Sequence, residues 1–262
     1  MVYDVHAHIF PDKIAEKAAH SIGAFYDGFH MDCDGSVSGL IRAGDRAGIS
    51  RFLVHSVATT PAQIHNVNAF IAAQVKARPD RFIGFGSLHP DMEDVEAGVQ
   101  SIIDLGLHGV KLHPDMQAFA LDEDRAIRLV KAVEAKGLPM MIHAGDYRYH
   151  YSNPPQIRKM LAEAPDLTVI AAHFAGYSVW DEAESLAGTK NMYVDCSSSM
   201  YAMTDEEIVR RIRLFGADRV MFGTDYPMWE PERELERFMS LPLHDDEREQ
   251  VLWKTAASVL GM

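Results

Sequence analysis

The sequence predicts an α/β protein folded as one (β/α)8 TIM barrel, and three observations carry that expectation. Short β-branched or aromatic runs alternate with longer helical patterns throughout the 262 residues, giving the eight strand–helix units that such a barrel needs at this length. The Gly-rich turn that follows the first strand of a dinucleotide-binding open sheet, the competing architecture, is replaced by Ile9-Phe10-Pro11. The residues able to do chemistry collect at the carboxyl ends of the strand candidates, where barrel enzymes build their sites.

The strands are expected at residues 2–9, 51–57, 81–88, 108–113, 139–143, 167–173, 192–196 and 219–222. The first is followed by an irregular stretch, 10–36, helical in part around 15–24. In a barrel such a loop lies over the mouth of the site. Helices follow at 37–47, 61–77 and 92–105; in the last, Val95, Val99, Ile102 and Ile103 recur at helical spacing, and Gly106 marks the stop. Ile127, Val130 and Val133 support a helix over 124–136, again ended by a glycine, Gly137. Helices at 155–163 and 179–187 come next. Thr204-x-x-Glu207 is a capping box ahead of Ile208 and Ile212 and starts the helix 205–215, which Gly216 ends. A helix at 232–239 and a last one at 245–260 complete the chain. No repeat or linker divides it, so residues 1–262 are expected to form one domain, with 10–36 as an active-site loop.

Composition narrows the function. Thirty-eight acidic against 25 basic residues give a formal charge of −13, which argues against nucleic acid or an anionic membrane as partner. Solvated helix faces account for the excess acid. Two cysteines, Cys33 and Cys196, and no C-x-x-C pattern exclude a disulfide scaffold and point to a reducing, cytoplasmic setting. Neither a signal peptide nor a bilayer-spanning apolar run is read in the sequence.

In Asp4-Val5-His6-Ala7-His8, strict strand alternation would put Asp4, His6 and His8 on one face and Val5, Ala7 and Ile9 on the other. Two imidazoles side by side on one face can grip a metal ion. Lys111 and His113 share a face of the fourth strand, His143 ends the fifth, His173 the sixth, and Gly223-Thr224-Asp225 follows the eighth. A cluster of histidines with a carboxylate suits zinc, or iron or manganese. Taken singly, His55, His89 and His113 read as polar rim residues. Cys196 reads as a small core residue and Ser197-Ser198-Ser199 as a polar turn. No G-x-S-x-G elbow supports a serine nucleophile. A closed structural zinc site is the non-enzymatic alternative, but its usual cysteines are missing. The segment Asp146-Tyr147-Arg148-Tyr149-His150-Tyr151 either grips a carboxylated or aromatic ligand through Arg148 or is an amphipathic surface loop. Met228 and Trp229 serve equally as an apolar wall or as core.

Five motifs together resemble the metal-dependent amidohydrolase superfamily: Asp4-Val5-His6-Ala7-His8, Gly109-Val110-Lys111-Leu112-His113-Pro114, Ile142-His143-Ala144, Ala172-His173-Phe174-Ala175-Gly176 and Phe222-Gly223-Thr224-Asp225-Tyr226-Pro227. The chain is most similar to the branch of short barrels that includes amino-carboxymuconate-semialdehyde decarboxylase and related hydrolases; no room is left for the β-sandwich that many superfamily members carry. The resemblance implies a divalent metal, zinc before others, held by His6, His8, His143 and Asp225. It makes His173 either a ligand to a second metal or an acid/base group. Lys111 stands where binuclear members carry a carboxylated, metal-bridging lysine; in mononuclear members the position is no ligand and would face a substrate carboxylate or a structural partner. One ion per chain is favoured, although the side chains for two are present. The implied reaction is attack of an activated water on a carbonyl of a small, carboxylated substrate, with Asp225 and His173 catalytic and Arg148 and His113 binding substrate. The alternative is metal-dependent, non-oxidative decarboxylation of a small aromatic or unsaturated acid. Barrels of this kind often pair as homodimers.

Overall fold

Eight short runs, nearly all of whose residues are buried, pair edge to edge in chain order. In the computed structural model, which describes residues 1–262, they are β1 (Tyr3–His8), β2 (Arg51–His55), β3 (Phe82–Ser87), β4 (Gly109–Leu112), β5 (Met140–Ile142), β6 (Val169–Ala171), β7 (Met192–Asp195) and β8 (Val220–Met221). Each is parallel to the next. The ring closes through Val5 N–H on the Phe222 carbonyl at 2.9 Å, Asp225 N–H on the His6 carbonyl at 2.8 Å, and a parallel bridge between Ala7 and Tyr226. The fold is therefore the expected (β/α)8 barrel.

Two apolar layers hold it. Val5, Leu53, Phe85, Met141, Ile170 and Met221 fill the inside, and Ala256 and Leu260 of the terminal helix Thr255–Leu260 join them. A larger layer lies between strands and helices and includes Phe52, Val110, Ile142, Val169, Val194 and Phe222. The Thr204–Glu207 capping box forms as expected at the helix Asp205–Phe215.

The strands are shorter than the sequence predicts, mostly at their carboxyl ends. Ladder bonding stops where the chain turns to line the mouth, so His113, His143, His173 and Asp225 lie just past the paired residues. The helix expected over 179–187 divides into Trp180–Ala183 and a 3-10 turn, Glu184–Leu186, and the last helix carries a π turn at Gln250–Lys254.

One expectation fails for a definite reason. The register of β1 against β2 shifts between Asp4 and Ala7, where Asp4 faces Phe52 and Ala7 faces Val54. Val5 and His6 together thus oppose Leu53, as at a β-bulge, and strand alternation is broken there. Val5 packs inside the barrel with Leu53 and Met221 while His6 also turns to the interior. Asp4 does not share the face of His6 and His8. Its buried carboxylate accepts from His6 N (3.0 Å), Thr224 N (3.0 Å) and Thr224 Oγ1 (2.6 Å), and so ties β1 to the segment after β8.

The 10–36 stretch contains the helix Ala15–Phe25 and is pinned at its base by a bridge between Phe10 and Ser36. Ser36 then caps the next helix, Val37–Ala47, by accepting from Gly39 N at 2.9 Å.

Burial shapes the pH response of this fold. Glu234 is buried on the helix Pro231–Ser240, and burial raises its carboxyl to about 7. The folded state therefore keeps a proton that the unfolded chain gives up near the ordinary carboxylate value, and Glu234 costs stability as pH rises through that interval. Glu234→Gln should be close to neutral at pH 4 and stabilising above pH 7, by about 1–3 kcal/mol. Urea unfolding across this range checks both the sign and the window.

Candidate metal centre

Five strands place ionisable groups at the mouth of the barrel. Past the β1 bulge, His6 and His8 point inward; Lys111 from β4 lies beneath them, and His113 and His143 follow β4 and β5. His173 and Asp225 need an unusual backbone. Both adopt φ of +60°, and Phe174 and Ala175 continue in the left-handed region at +51° and +61°. Non-glycine residues rarely take this conformation, at a cost of about 1–3 kcal/mol each where it is forced. The turn aims His173 into the cavity, where plain continuation of β6 would carry it away. Gly223 serves the same end: a Cβ there would lie 3.0 Å from His6 Cβ and 3.3 Å from Ser197 Cβ.

The imidazoles are oriented from behind. His6 Nδ1 lies 2.9 Å from Asp195 Oδ2, His173 Nδ1 lies 2.9 Å from the Ser197 carbonyl, and His143 Nε2 lies 3.0 Å from the Gly145 carbonyl. Carboxylate and carbonyl oxygens only accept, so each of these nitrogens carries the proton. The opposite nitrogens present bare lone pairs to the cavity. The lone pairs of His143 and His173 face each other, Nδ1 to Nε2, at 3.1 Å, and that of His6 Nε2 faces His8 Nε2 at 3.3 Å. Asp225 Oδ1 stands 3.3 Å from His6 Nε2 and 3.5 Å from His8 Nε2, while Ser198 Oγ donates to its other oxygen at 2.5 Å.

So many acceptors facing one another require a cation. Lys111 supplies one: its Nζ is fully buried, 3.0 Å from His6 Nε2. Burial lowers it to about 8, against the pull of Asp225 and Asp195. Burial also lowers His6, to about 4, which keeps it neutral and able to ligate. Burial alone would raise Asp225, but the facing His6, His8 and His173 hold it far below the ordinary carboxylate range.

His55 provides an independent sign of fit. It is fully buried, its ring centroid lies 4.4 Å from that of His8 and 5.0 Å from that of His6, and neither of its nitrogens has a protein partner. An unsatisfied buried polar group costs about 1–3 kcal/mol. The ligand atoms of His6, His8 and His55 lie within 4.8 Å of one another. The donor set therefore matches a divalent cation in both chemistry and spacing.

Seven of the residues expected from the sequence thus line one cavity of about 450 Å³: His6, His8, Lys111, His113, His143, His173 and Asp225. Arg148 is placed elsewhere. Its guanidinium is spent on Asp146, with Nε 3.0 Å from Oδ1 and Nη2 2.7 Å from Oδ2, and on the Phe25 carbonyl, 2.7 Å from Nη1. It sits behind the cavity wall. Cys196 is a buried core residue, as expected. Sequence reading passed over Asp195 and Tyr26, and took His55 for a rim residue and Ser198 for part of a polar turn. Asp195 was detectable as a lone carboxylate at the end of an apolar strand. His55 differed in no way from a rim residue, and Tyr26 reaches the cavity from the 10–36 stretch, where no periodicity applies.

An eight-stranded barrel with a histidine-rich mouth defines a class of metal-dependent barrel enzymes. The family profile described as Amidohydrolase matches residues 3–262, and the chain belongs to that family. It is an enzyme of hydrolase or lyase type. No curated protein matches it. Among solved structures it is similar to an uncharacterized TIM-barrel protein from Bordetella bronchiseptica, at 24% identity and TM-score 0.82, covering 99% of this chain and 98% of that one. It is similar to a dihydroxybenzoic acid decarboxylase from Polaromonas sp. JS666 with bound manganese and the inhibitor 2-nitroresorcinol, at 16% identity and TM-score 0.74, covering 99% and 96%. A candidate 2-pyrone-4,6-dicarboxylic acid hydrolase from Pseudomonas putida matches at 18% identity and TM-score 0.71, covering 99% and 97%. At these identities the neighbours establish the fold. No helix of the chain is long and apolar enough to cross a membrane.

The support behind His6 makes a direct prediction. Asp195→Asn can present an amide N–H where His6 Nδ1 needs an acceptor, which removes the tautomer lock. Divalent-ion affinity of the folded variant, measured by calorimetric titration with Mn2+, should fall about 10- to 100-fold. The helical circular dichroism should stay the same.

Proposed function

We propose that the chain is a divalent-metal hydrolase acting on a carbonyl of a small substrate, with His6, His8, His143 and Asp225 as ligands and Asp225 and His173 as the proton-handling groups. The observation that carries this reading is that two facing imidazole pairs, His6 with His8 and His143 with His173, line one open cavity together with the ionised carboxylate of Asp225. Zinc and manganese both suit this donor set; one ion per chain fits if Lys111 stays an ammonium. Were Lys111 carboxylated, its cation would become an anionic bridge and the pair His143 and His173 would have a second ion to hold.

A bound divalent ion lowers the pKa of water from about 15.7 to about 7 and polarises an oxygen brought against it. Asp225 Oδ1 is free on the cavity side because Ser198 occupies Oδ2. In hydrolysis it takes the proton from the attacking water and passes it to the leaving group. His173 is fixed by Ser197 and directs Nε2 at the same region, where it orients that water. His113 stacks flat on His143 at 4.0 Å and keeps that ring from turning.

Decarboxylation is the second reading, and the other wall of the cavity supports it. Phe10, Ile22, Phe25, Val57, Met116 and Met228 make that side apolar. Such a wall disfavours a carboxylate relative to carbon dioxide and a neutral ring. The manganese-containing decarboxylase among the structural neighbours supports the same chemistry. Here Asp225 or His173 takes a proton from water and delivers it to the carbon that loses CO2, and the hydroxide left behind can take up the CO2 as bicarbonate.

Stripping the protein with a chelator should abolish turnover, and Mn2+ or Zn2+ should restore it. Asp225→Asn should retain the fold and lose activity by at least about 100-fold, the usual scale for a proton-transfer group, even when assayed at saturating metal. Turnover near that of the unmodified enzyme would remove Asp225 from the mechanism. Over a panel of hydroxybenzoates and lactones, carbon dioxide release against acid release decides between the two reactions.

A further inference from the structure

The tyrosine that covers the cavity has one proton to spare. Tyr26 caps the carboxyl end of the helix Ala15–Phe25 and lines the cavity together with His143, His173 and Asp225. Its hydroxyl oxygen lies 3.0 Å from His113 Nε2. The other nitrogen of that ring, Nδ1, accepts from the Met116 backbone N–H at 3.3 Å. A neutral imidazole that accepts at Nδ1 carries its hydrogen on Nε2. His113 therefore donates to Tyr26, and the tyrosine's own O–H is left for something else. The tyrosine hydroxyl has no other protein partner. Burial raises Tyr26 well above the ordinary phenol value, so the proton stays on the oxygen.

Arg148 explains why the ring stays where it is. Its guanidinium is locked onto Asp146, behind the fifth strand, and donates to the carbonyl of Phe25, the residue next to Tyr26. Its flat face lies 5.1 Å from the centroids of both the Phe25 and the Tyr26 rings, and 5.3 Å from that of Tyr149. This contact joins the covering helix to the 146–151 segment.

We propose that Tyr26 is a substrate-orienting hydrogen-bond donor, aimed by His113 at an oxygen of the ligand held at the histidine cluster, and that Arg148 is a positioning residue acting only through Tyr26. This rests on the reading of the cavity as the reaction site. It gives the aromatic and cationic segment 146–151 a role different from direct capture of a carboxylate.

The test is a double-mutant cycle on the manganese-loaded protein, with benzohydroxamate as the probe because it offers metal-binding oxygens whatever the natural substrate is. By calorimetric titration, Tyr26→Phe should weaken binding roughly two- to tenfold, the worth of one hydrogen bond, with manganese content and Tm unchanged. Arg148→Ala should weaken it by no more than that, and the double variant should be no worse than Tyr26→Phe alone. If Arg148→Ala does not fold, Arg148→Lys takes its place, since it keeps the charge against Asp146 and loses the flat stacking. Additive losses would mean that Arg148 touches the ligand itself and would overturn the proposal. So would unchanged affinity in Tyr26→Phe, and that result leaves the metal site intact. Failure of the unmodified protein to take up manganese, or to bind the probe once loaded, overturns the functional reading and this inference with it.

Discussion

An imidazole buried away from water must have something for both of its nitrogens, and this requirement organises the mouth of the barrel. Asp195, the Ser197 carbonyl and the Gly145 carbonyl each take one N–H, from His6, His173 and His143. Once those three bonds are made, the remaining nitrogens are acceptors, and the fold holds them within about 3.3 Å of their neighbours across the cavity. Two lone pairs at that separation repel unless positive charge lies between them or beside them. Lys111 relieves part of this from below. His55, buried with no partner for either nitrogen, adds to the demand. Metal affinity in this account is therefore a consequence of hydrogen bonds made on the far side of each ring, one shell away from the ion.

Holding that arrangement requires a backbone that regular structure would not supply. The bulge in β1 lets Val5 fill the barrel interior while His6, the next residue, faces the site. Three successive left-handed residues after β6 and a fourth at Asp225 redirect two further groups, His173 and Asp225, into the cavity. Each costs of the order of 1–3 kcal/mol. They persist because both apolar layers, the interior plug and the 56-residue shell around it, fix the strands on which the turns are mounted. Chemistry and stability are separated along the barrel axis: apolar side chains fill the interior, and the ionisable groups of the site lie toward or past the carboxyl ends of β1, β4, β5, β6 and β8.

The barrel was legible in the sequence because alternating strand and helix patterns report burial directly, and burial is what the architecture needs. His6, His8, Lys111, His143, His173 and Asp225 were legible because each falls at or just past a strand end, and strand ends converge. Face assignment within β1 failed at Asp4, since a bulge is set by pairing with β2 and by closure onto β8, and neither appears in local alternation. Arg148 shows the complementary limit. Its residue type suggested a carboxylate ligand, but the nearest carboxylate is Asp146 of its own segment, two residues away and fully buried. Tyr26 lay in a stretch with no period to read, and only the closed fold brings it against His113.

The cavity thus has a polar floor and an apolar wall, covered by a helix that contributes aromatic rings. Hydrolysis and decarboxylation use the same floor and differ in what the wall must favour. What both require is an ion held by nitrogen. X-ray absorption at the metal edge of protein reconstituted with one equivalent of zinc or manganese tests this most directly. The account predicts a shell dominated by imidazole scattering, with zinc–nitrogen distances of about 2.0–2.1 Å; a shell of water and carboxylate oxygens alone, or no uptake by the folded protein, would contradict it.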